Sequence, residues 1–187
     1  MSKWNILDKL IAKIRYLKIS KYVIDNKVIC DIGCGQNADF LKRFSTKIKK
    51  GYGLDFRIKD TAWNNIQLIC NKDIQGIPLP DGSCDEVFML AVLEHLDEPE
   101  KMICEMNRIL KKDGFAVMTT PTRLAKPVLE FMAFKLHIIN EDEILEHKHY
   151  YNKDECISLL EKNGFSNIKY SVFTFGMNSV IVAEKSL

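Results

Sequence analysis

The segment Lys27-Val-Ile-Cys-Asp-Ile-Gly-Cys-Gly35 decides the fold of this 187-residue chain. It is a short apolar run followed directly by glycines, which predicts a buried strand that ends in a tight turn. Glycine suits such a turn because it tolerates left-handed backbone angles and lets a ligand approach the main chain. Ligands of open α/β sheets bind at the carboxyl ends of strands, so we expect a binding site at this turn.

Similar apolar runs alternate with helical patterns along the rest of the chain. Continuous apolar runs are typical of strands that are covered on both faces of a parallel sheet. Strands that alternate with helices predict a doubly wound, Rossmann-like α/β fold. Strands are expected at 51–55, 65–70, 84–91 and 114–120, helices at 38–47, 99–111, 123–138 and 153–162, and a closing hairpin at 168–184.

Acidic residues lie at or just after the ends of the first three predicted strands, counted from the strand that precedes Gly33. Asp31 precedes the glycines, Asp55 ends the second strand twenty residues after Gly35, and Asp73 follows the third. A carboxylate at Asp55 can accept both hydroxyls of a ribose, and one at Asp73 can accept from the amino group of adenine. The three positions together predict a nucleoside pocket.

Two nucleoside cofactors are compatible with this pattern. The spacing Gly33-x-Gly35-x-x-Ala38, with Asp55 further on, also satisfies the fingerprint of NAD-binding domains. Asp31 favours S-adenosylmethionine, because a carboxylate there suits the ammonium of a methionine moiety and would repel a pyrophosphate. The closing hairpin is also unusual for a dinucleotide domain. An NAD-linked oxidoreductase therefore stays the rival enzyme class.

Seven motifs in a specific order carry a resemblance to a known family. They are Val28-Ile-Cys-Asp-Ile-Gly-Cys-Gly35, Gly51-Tyr-Gly-Leu-Asp55, Asp73-Ile74, Ile77-Pro-Leu-Pro-Asp81, Leu90-Ala-Val-Leu-Glu-His-Leu96, Glu105-Met-Asn-Arg-Ile-Leu-Lys111 and Thr119-Thr-Pro121. With these motifs the chain resembles the class I S-adenosylmethionine-dependent methyltransferases of the UbiE, or methyltransferase type 11, family. The resemblance extends over residues 27–184.

The resemblance implies a mostly parallel sheet of seven strands whose C-terminal strand is antiparallel. It also implies S-adenosylmethionine as the cofactor and S-adenosylhomocysteine as the product. By this resemblance, Asp31, Gly33, Cys34 and Gly35 contact the methionine part of the cofactor, and Asp55 binds its ribose. Phe56, Asp73 and Ile74 contact the adenine, and Leu90 lies near the sulfonium.

The chain departs from the family pattern at two informative places. The family often has a third glycine two residues after Gly35, where this chain has Asn37. Asparagine tolerates left-handed geometry, so we expect the turn to survive. The link between the second and third strands is short, so its crossover helix is expected to be reduced to a turn.

Two histidines are candidate catalytic bases, because imidazole titrates near neutral pH. His95 follows the strand nearest to the expected sulfonium, and His147 matches a histidine that is common in the family before the last helix. In the structural alternatives, His95 only caps the turn that follows it, and His147 only makes a hydrogen bond that ties segment 122–150 to the sheet. The pair His147 and His149 lacks a well-placed third ligand, so no metal site is predicted.

The predicted organisation is an N-terminal basic amphipathic helix in residues 1–24 and a cofactor-binding domain in residues 25–187. Residues 1–21 contain six basic residues and one acidic residue, which gives this segment a net charge of +5. The whole chain has a net charge of +2, so the remaining residues have a net charge of −3. A nucleic-acid partner is therefore not expected, although the basic helix could contact anionic lipid weakly. The apolar segment 122–150 is interpreted as a substrate cap, either a helix packed on the sheet or a lid over an acceptor pocket.

The sequence thus predicts a methyltransferase that acts on oxygen or nitrogen of a small-molecule or glycan- or lipid-linked acceptor. No apolar run is long enough to span a bilayer, no signal peptide is recognised, and no cysteine pair has metal-ligand spacing, so a cytoplasmic location is expected. The alternative from another class is a catalytically silent, cofactor-binding partner subunit. The oligomeric state is left open.

Overall fold

The computed structural model describes residues 6–72 and 76–186. All eight strands belong to one sheet. They are β1 (Val28–Ile32), β2 (Lys50–Asp55), β3 (Thr61–Trp63), β4 (Ile66–Cys70), β5 (Cys84–Leu90), β6 (Leu110–Pro121), β7 (Phe165–Phe173) and β8 (Asn178–Lys185). The α-helices are α1 (Ile6–Ile19), α2 (Asp39–Phe44), α3 (Pro99–Ile109), α4 (Ala125–Phe134), α5 (Glu141–Leu145) and α6 (Lys153–Lys162).

The strand order is β3-β4-β2-β1-β5-β6-β8-β7, and β1 pairs in parallel with both β2 and β5. Strand β8 lies antiparallel between β6 and β7, which confirms the closing hairpin. The fold is therefore the expected α/β, Rossmann-like sheet that is mostly parallel. The expected number of seven strands was one too few.

The additional strand is β3, which pairs antiparallel with β4 at the edge of the sheet. Only ten residues, 56–65, connect β2 to the parallel strand β4. This link is too short for an ordinary crossover helix. The chain instead runs back along the outer side of β4 and turns into it at Asn64, whose φ is 50°. The expected turn is thus a short hairpin.

The two faces of the sheet bury separate apolar clusters, as the alternation of side chains along a strand requires. Helices α3 and α6 cover one face, with Met106 of α3 and Leu160 of α6 fully buried. Helices α1 and α2 contribute to the cluster on the other face through Ile19 and Phe40. A capping box at Asn152 opens α6, and Pro99 opens α3.

Helix α1 is amphipathic and packs on the sheet side that α2 also covers. Ile19 is fully buried, and the rings of Tyr16 and Phe40 lie 5.8 Å apart. Lys13 and Lys21 are exposed. The helix therefore contributes apolar core contacts with one side, whereas its solvent side carries basic charge together with the exposed apolar side chains of Leu10 and Leu17. Among the described residues, no helix has the length and apolar character needed to cross a bilayer.

The turn after β1 contains a left-handed residue, but not at the position expected. The left-handed residue is Ala38, with φ 47° and ψ 46°, and Asn37 does not have a positive φ. Ala38 is fully buried directly before α2. Its small side chain allows this burial, and the left-handed residue lies one position later than the sequence suggested.

A buried carboxyl group at the amino end of β5 provides a stability prediction. The backbone amide of Ile24 donates to Oε1 of Glu86 at 3.0 Å, and Oε2 has no hydrogen-bond partner in the described part of the chain. Burial raises the pKa of Glu86 from 4.5 to about 7. The carboxyl group therefore stabilises the fold only while protonated, and stability falls as the pH rises from 4.5 to 7.

We expect Glu86→Gln to raise the free energy of unfolding by about 2 kcal/mol at pH 8 and to change it little at pH 4.5. The amide keeps an acceptor for Ile24 and removes the cost of burying a charge. Urea unfolding at the two pH values measures this difference. The control Glu161→Gln changes an exposed residue of α6 and should have no effect at either pH. Absence of a gain at pH 8 would contradict the burial cost assigned to Glu86.

Candidate functional site

The candidate site lies at the carboxyl ends of β1, β2 and β5. Strand β1 is at the point where the chain order reverses, because β2 follows on one side and β5 on the other. Such a point leaves a crevice above the strand ends in doubly wound sheets. Asp31, Asp55 and Leu90 belong to the last two residues of their strands, so the structure brings these predicted positions to one edge.

The glycine turn is anchored to β2 through its backbone. The amides of Gly33 and Cys34 both donate to the carbonyl oxygen of Leu54, at 2.8 and 3.0 Å. Gly33 has φ 74°, and a Cβ placed on it would lie 2.3 Å from Cγ2 of Val92. Gly35 has φ 70°, but a Cβ there would meet no atom of the described residues within 4 Å. Gly33 is thus required by packing, whereas Gly35 borders open space that a ligand can use.

Asp55 is a buried carboxylate that already holds this turn. Its Oδ2 accepts from the amide of Gly35 at 3.0 Å, and its Oδ1 accepts from the amide and Nε of Arg57 at 2.9 and 3.1 Å. The Arg57 side chain is half exposed and lies over the Phe56 ring. Phe56 itself is 62% exposed at the rim. A polar ligand at Asp55 would therefore share its carboxylate with a half-exposed surface cation.

Asp31 is the second buried acid, at 2% exposure. Burial, followed by the nearby charge of Asp55, raises the pKa of Asp31 well above its usual value. The pKa of Tyr16, on α1, is also raised, first by burial and then by the charge of Asp31. Helix α1 thus borders the acid. Two buried carboxyl groups at one strand edge favour a ligand that brings a positive charge.

The remaining cofactor positions of the prediction are distributed as follows. Cys34 and Leu90 are each 9% exposed, at the turn and at the end of β5. Burial raises the pKa of the Cys34 thiol, which disfavours a nucleophilic thiolate. Asp73 and Ile74 lie outside the described residues.

The two predicted histidines meet, although 52 positions separate them in the chain. The ring centroids of His95 and His147 are 4.7 Å apart in an edge-to-face arrangement. Nδ1 of His95 lies 3.3 Å from the carbonyl oxygen of Glu146, and Nδ1 of His147 lies 2.8 Å from Oη of Tyr150. Burial and the neighbouring His95 lower the pKa of His147 to about 4, and burial lowers that of His95. Both rings are neutral at neutral pH.

Glu94 is the site residue that the sequence reasoning missed, although it stands beside His95 in a quoted motif. Its side chain is buried and accepts from Oγ1 of Thr120 at 3.0 Å. Its carbonyl oxygen accepts from the amide of Lys148 at 2.8 Å, which fixes the segment that carries His147. Burial raises the pKa of Glu94 to about 7, against the opposing effect of the Arg15 charge.

Arg15 of α1 was also missed, because it is one of six basic residues near the N-terminus. Burial lowers its pKa, and the charge of Glu94 raises it. Its Nε is buried without a hydrogen-bond partner among the residues that the structure describes. No local signal distinguishes this arginine from the exposed lysines of the same helix. Helix packing alone places it opposite Glu94.

A cavity of about 510 Å³ opens next to the histidine pair, inside the predicted cap. Its lining combines apolar side chains with charged ones of both signs and shares His147 and Tyr150 with the cluster described above. The apolar part is formed by Phe134, Ile144 and Leu145, and the charged part by Arg123, Lys126 and Lys148 together with the acidic Glu130. The cap thus provides space of the size of a small molecule on one side of the histidines.

The chain is similar in sequence to known proteins. A family model described as a methyltransferase domain matches residues 5–170. A ubiquinone/menaquinone biosynthesis C-methyltransferase, UbiE, of Campylobacter jejuni is 24% identical over 194 aligned positions, which cover 89% of this chain and 82% of the relative. A demethylmenaquinone methyltransferase of Staphylococcus haemolyticus is 25% identical and covers 98% of this chain and 90% of its own length.

The fold also matches solved structures. A crystal structure of an S-adenosylmethionine-dependent methyltransferase from Archaeoglobus fulgidus superimposes with a TM-score of 0.72 at 17% identity. The match covers 94% of this chain and 93% of that chain. At this identity the similarity establishes the fold and does not transfer a substrate.

Proposed function

This chain belongs to the methyltransferase-domain family, and on that premise we propose how it works as an S-adenosylmethionine-dependent enzyme. The proposed acceptor is a small molecule or a glycan- or lipid-linked intermediate that is methylated on oxygen or nitrogen. Relatives named as C-methyltransferases add carbon as a further candidate atom. The observation that carries the proposal is the pair of buried acids, Asp31 and Asp55, beside the open face of Gly35.

The residues at the strand edge fit S-adenosylmethionine. We assign Asp31 to the ammonium of its methionine part, because an ammonium offsets a buried negative charge. Asp55 would accept the ribose hydroxyls and Phe56 would contact the adenine, with Asp73 and Ile74 at the adenine edge. Gly33, Cys34 and Gly35 would cradle the ligand, and Leu90 would lie near the sulfonium. The cofactor supplies an activated methyl group, so the protein mainly orients the reactants and excludes water.

The acceptor is proposed to approach from the side of His95 and His147. Both imidazoles are neutral, so either can accept a proton where the acceptor must lose one. The adjoining cavity would hold the acceptor, with Phe134 and Ile144 against its apolar part.

The first experiment is calorimetric titration of the purified protein with S-adenosylhomocysteine and, in parallel, with NAD. We expect saturable binding of S-adenosylhomocysteine alone. Binding of NAD alone would contradict the assignment of Asp31 and favour the oxidoreductase. Binding of neither would favour the silent partner subunit. Labelled S-adenosylmethionine would then separate a working enzyme from a subunit that binds the cofactor without turnover.

Gly35→Ala is expected to weaken S-adenosylhomocysteine binding at least tenfold while costing only about 1 kcal/mol of stability. The added methyl group would enter the open space assigned to the ligand. Gly82→Ala is the matched control, since Gly82 also has a positive φ of 59° and, in the part of the chain that the structure describes, a Cβ placed on it would meet only Lys111 Cα, at 4.0 Å. Calorimetry and urea unfolding of both variants measure the two effects. Equal affinity in the two variants would contradict the placement of the ligand.

Asp31→Asn is expected to weaken S-adenosylhomocysteine binding about 10- to 100-fold at pH 8, because a charge-assisted contact with the ammonium is lost. In the parent, affinity should fall as the pH is lowered, since protonation removes the negative charge and burial has raised the pKa of Asp31. This pH dependence should be flatter in the variant. Methylthioadenosine, which lacks the ammonium, is the control ligand and should bind both proteins equally. A variant that loses affinity for both ligands alike would contradict the role of Asp31.

A further inference from the structure

Three potential metal ligands lie together on the acceptor side of the proposed site. Glu94, His95 and His147 each offer a ligand atom, and these atoms all lie within 4.8 Å of one another. The sequence indicated no third ligand near the histidines of the cap. The fold brings Glu94 and His95 close to His147, because the 3₁₀ turn Leu93–His95 after β5 faces the segment that enters α6. The donor set is therefore two imidazoles and one carboxylate.

The surrounding contacts hold each ligand in place. Nδ1 of His95 faces the carbonyl oxygen of Glu146, so this nitrogen carries the proton and Nε2 keeps a free lone pair. Nδ1 of His147 faces the hydroxyl oxygen of Tyr150, and donation to that oxygen likewise leaves Nε2 free. Thr120 donates to one oxygen of Glu94. Hydrogen bonds of this kind orient the ligands of known metal sites.

We propose that Glu94, His95 and His147 bind one divalent transition-metal ion of the zinc type. Two imidazoles with one carboxylate suit Zn²⁺ or Co²⁺ better than Mg²⁺ or Ca²⁺, which prefer oxygen ligands. Three protein ligands leave a coordination position open, as in catalytic zinc sites. That position would take an oxygen of the acceptor and lower its pKa. With the ion bound, this effect would replace proton transfer to His95 or His147, because the ion would occupy their free lone pairs. This use of the ion rests on the proposed function, whereas ion binding itself does not.

The charges around the cluster set a limit on affinity. Arg15 lies close enough to Glu94 for their charges to interact, and the charges of Arg57, Lys148 and the opposing Glu146 act on His95. These cations oppose a second positive charge. The ion is favoured locally because it would neutralise a carboxylate that is buried. We therefore expect moderate binding that a chelator removes, unlike a structural zinc site on which folding depends.

The test is a titration of chelator-treated protein with Co²⁺, followed by visible absorption, with S-adenosylhomocysteine affinity measured on the same samples. We expect one equivalent of Co²⁺ to bind and to produce absorption bands of a site with nitrogen ligands. Zn²⁺ should displace it. Absence of saturable Co²⁺ binding to the parent protein would overturn the proposal, whatever the variants do. Intact S-adenosylhomocysteine binding in that case would leave the proposed function standing.

Variants then locate the ion. His147→Asn and Glu94→Gln should each abolish the absorption bands. His149→Asn is the matched control, because His149 lies two residues away, is exposed and contacts Glu155 instead of the cluster. Retained bands in His147→Asn, or their loss in His149→Asn, would assign the ion to a different place. Circular dichroism and S-adenosylhomocysteine affinity show whether each variant is folded. If Glu94→Gln misfolds, the comparison of His147→Asn with His149→Asn decides where the ion binds.

Discussion

Asp55→Ala is expected to weaken S-adenosylhomocysteine binding by about 100-fold or more. The substitution removes the carboxylate assigned to both ribose hydroxyls, and each charge-assisted hydrogen bond contributes about 1.5–3 kcal/mol. It also removes the acceptor for the amide of Gly35, so the turn that borders the ligand loses an anchor. Arg57 loses its carboxylate partner in the same step. Calorimetric titration measures the affinity directly.

Two further variants separate these contributions. Asp25→Ala removes an exposed aspartate that pairs with Lys47 at 3.3 Å, and it should leave the affinity unchanged. Asp55→Asn keeps a hydrogen-bond acceptor for Gly35 but loses the charge, so its affinity should fall between those of the parent and Asp55→Ala. If Asp55→Ala binds as well as the parent, the ribose has been placed at the wrong residue.

The second large effect concerns stability. Gly33→Ala is expected to lower the free energy of unfolding by about 3 kcal/mol or more, as the sum of a steric overlap and a strained backbone. The overlap arises because the added Cβ would lie 2.3 Å from Cγ2 of Val92, and the strain arises from φ 74°. Urea unfolding measures the loss. Gly82→Ala, which has only the backbone cost, should lose about 1 kcal/mol.

A double variant separates the two costs of Gly33→Ala. Val92→Ala removes the methyl group that the new Cβ would meet, and the next Val92 atom on the backbone side, Cβ, is 3.5 Å away. Gly33→Ala should therefore be less destabilising in the Val92→Ala background than in the parent. The remaining loss should approach that of Gly82→Ala. An unchanged loss in both backgrounds would show that backbone strain, and not contact with Val92, makes Gly33 necessary.

The parts of the fold that depend on local sequence were predicted well. The predicted apolar runs correspond to β1, β2, β4 and β5, and the hairpin of β7 and β8 was expected from its turn. Strand β3 was not expected, because Thr61–Trp63 is too short to produce a pattern of its own. It forms only because the neighbouring strand β4 offers an open edge.

The candidate site likewise contains residues that local sequence predicts and residues that only the packed structure reveals. Asp31, Asp55 and the glycines follow from spacing around single strands, so their meeting at one edge could be inferred once a parallel sheet was assumed. The left-handed Ala38 could not, since alanine gives no signal for such geometry and the packing around α2 requires it. The assignments of these residues to parts of the cofactor stay predictions.

By itself, the sequence determined the class of fold, the strand edge at which we propose that the cofactor binds, and the acids placed there, because strand patterns and glycine turns are local properties of the chain. The tertiary structure decided which distant groups share the acceptor side. His95 and His147 meet only when the cap is tied to the carbonyl oxygen of Glu94. Arg15 reaches Glu94 only when α1 packs on the sheet. Such contacts depend on the free energy of packing the whole chain, which no short segment of sequence contains.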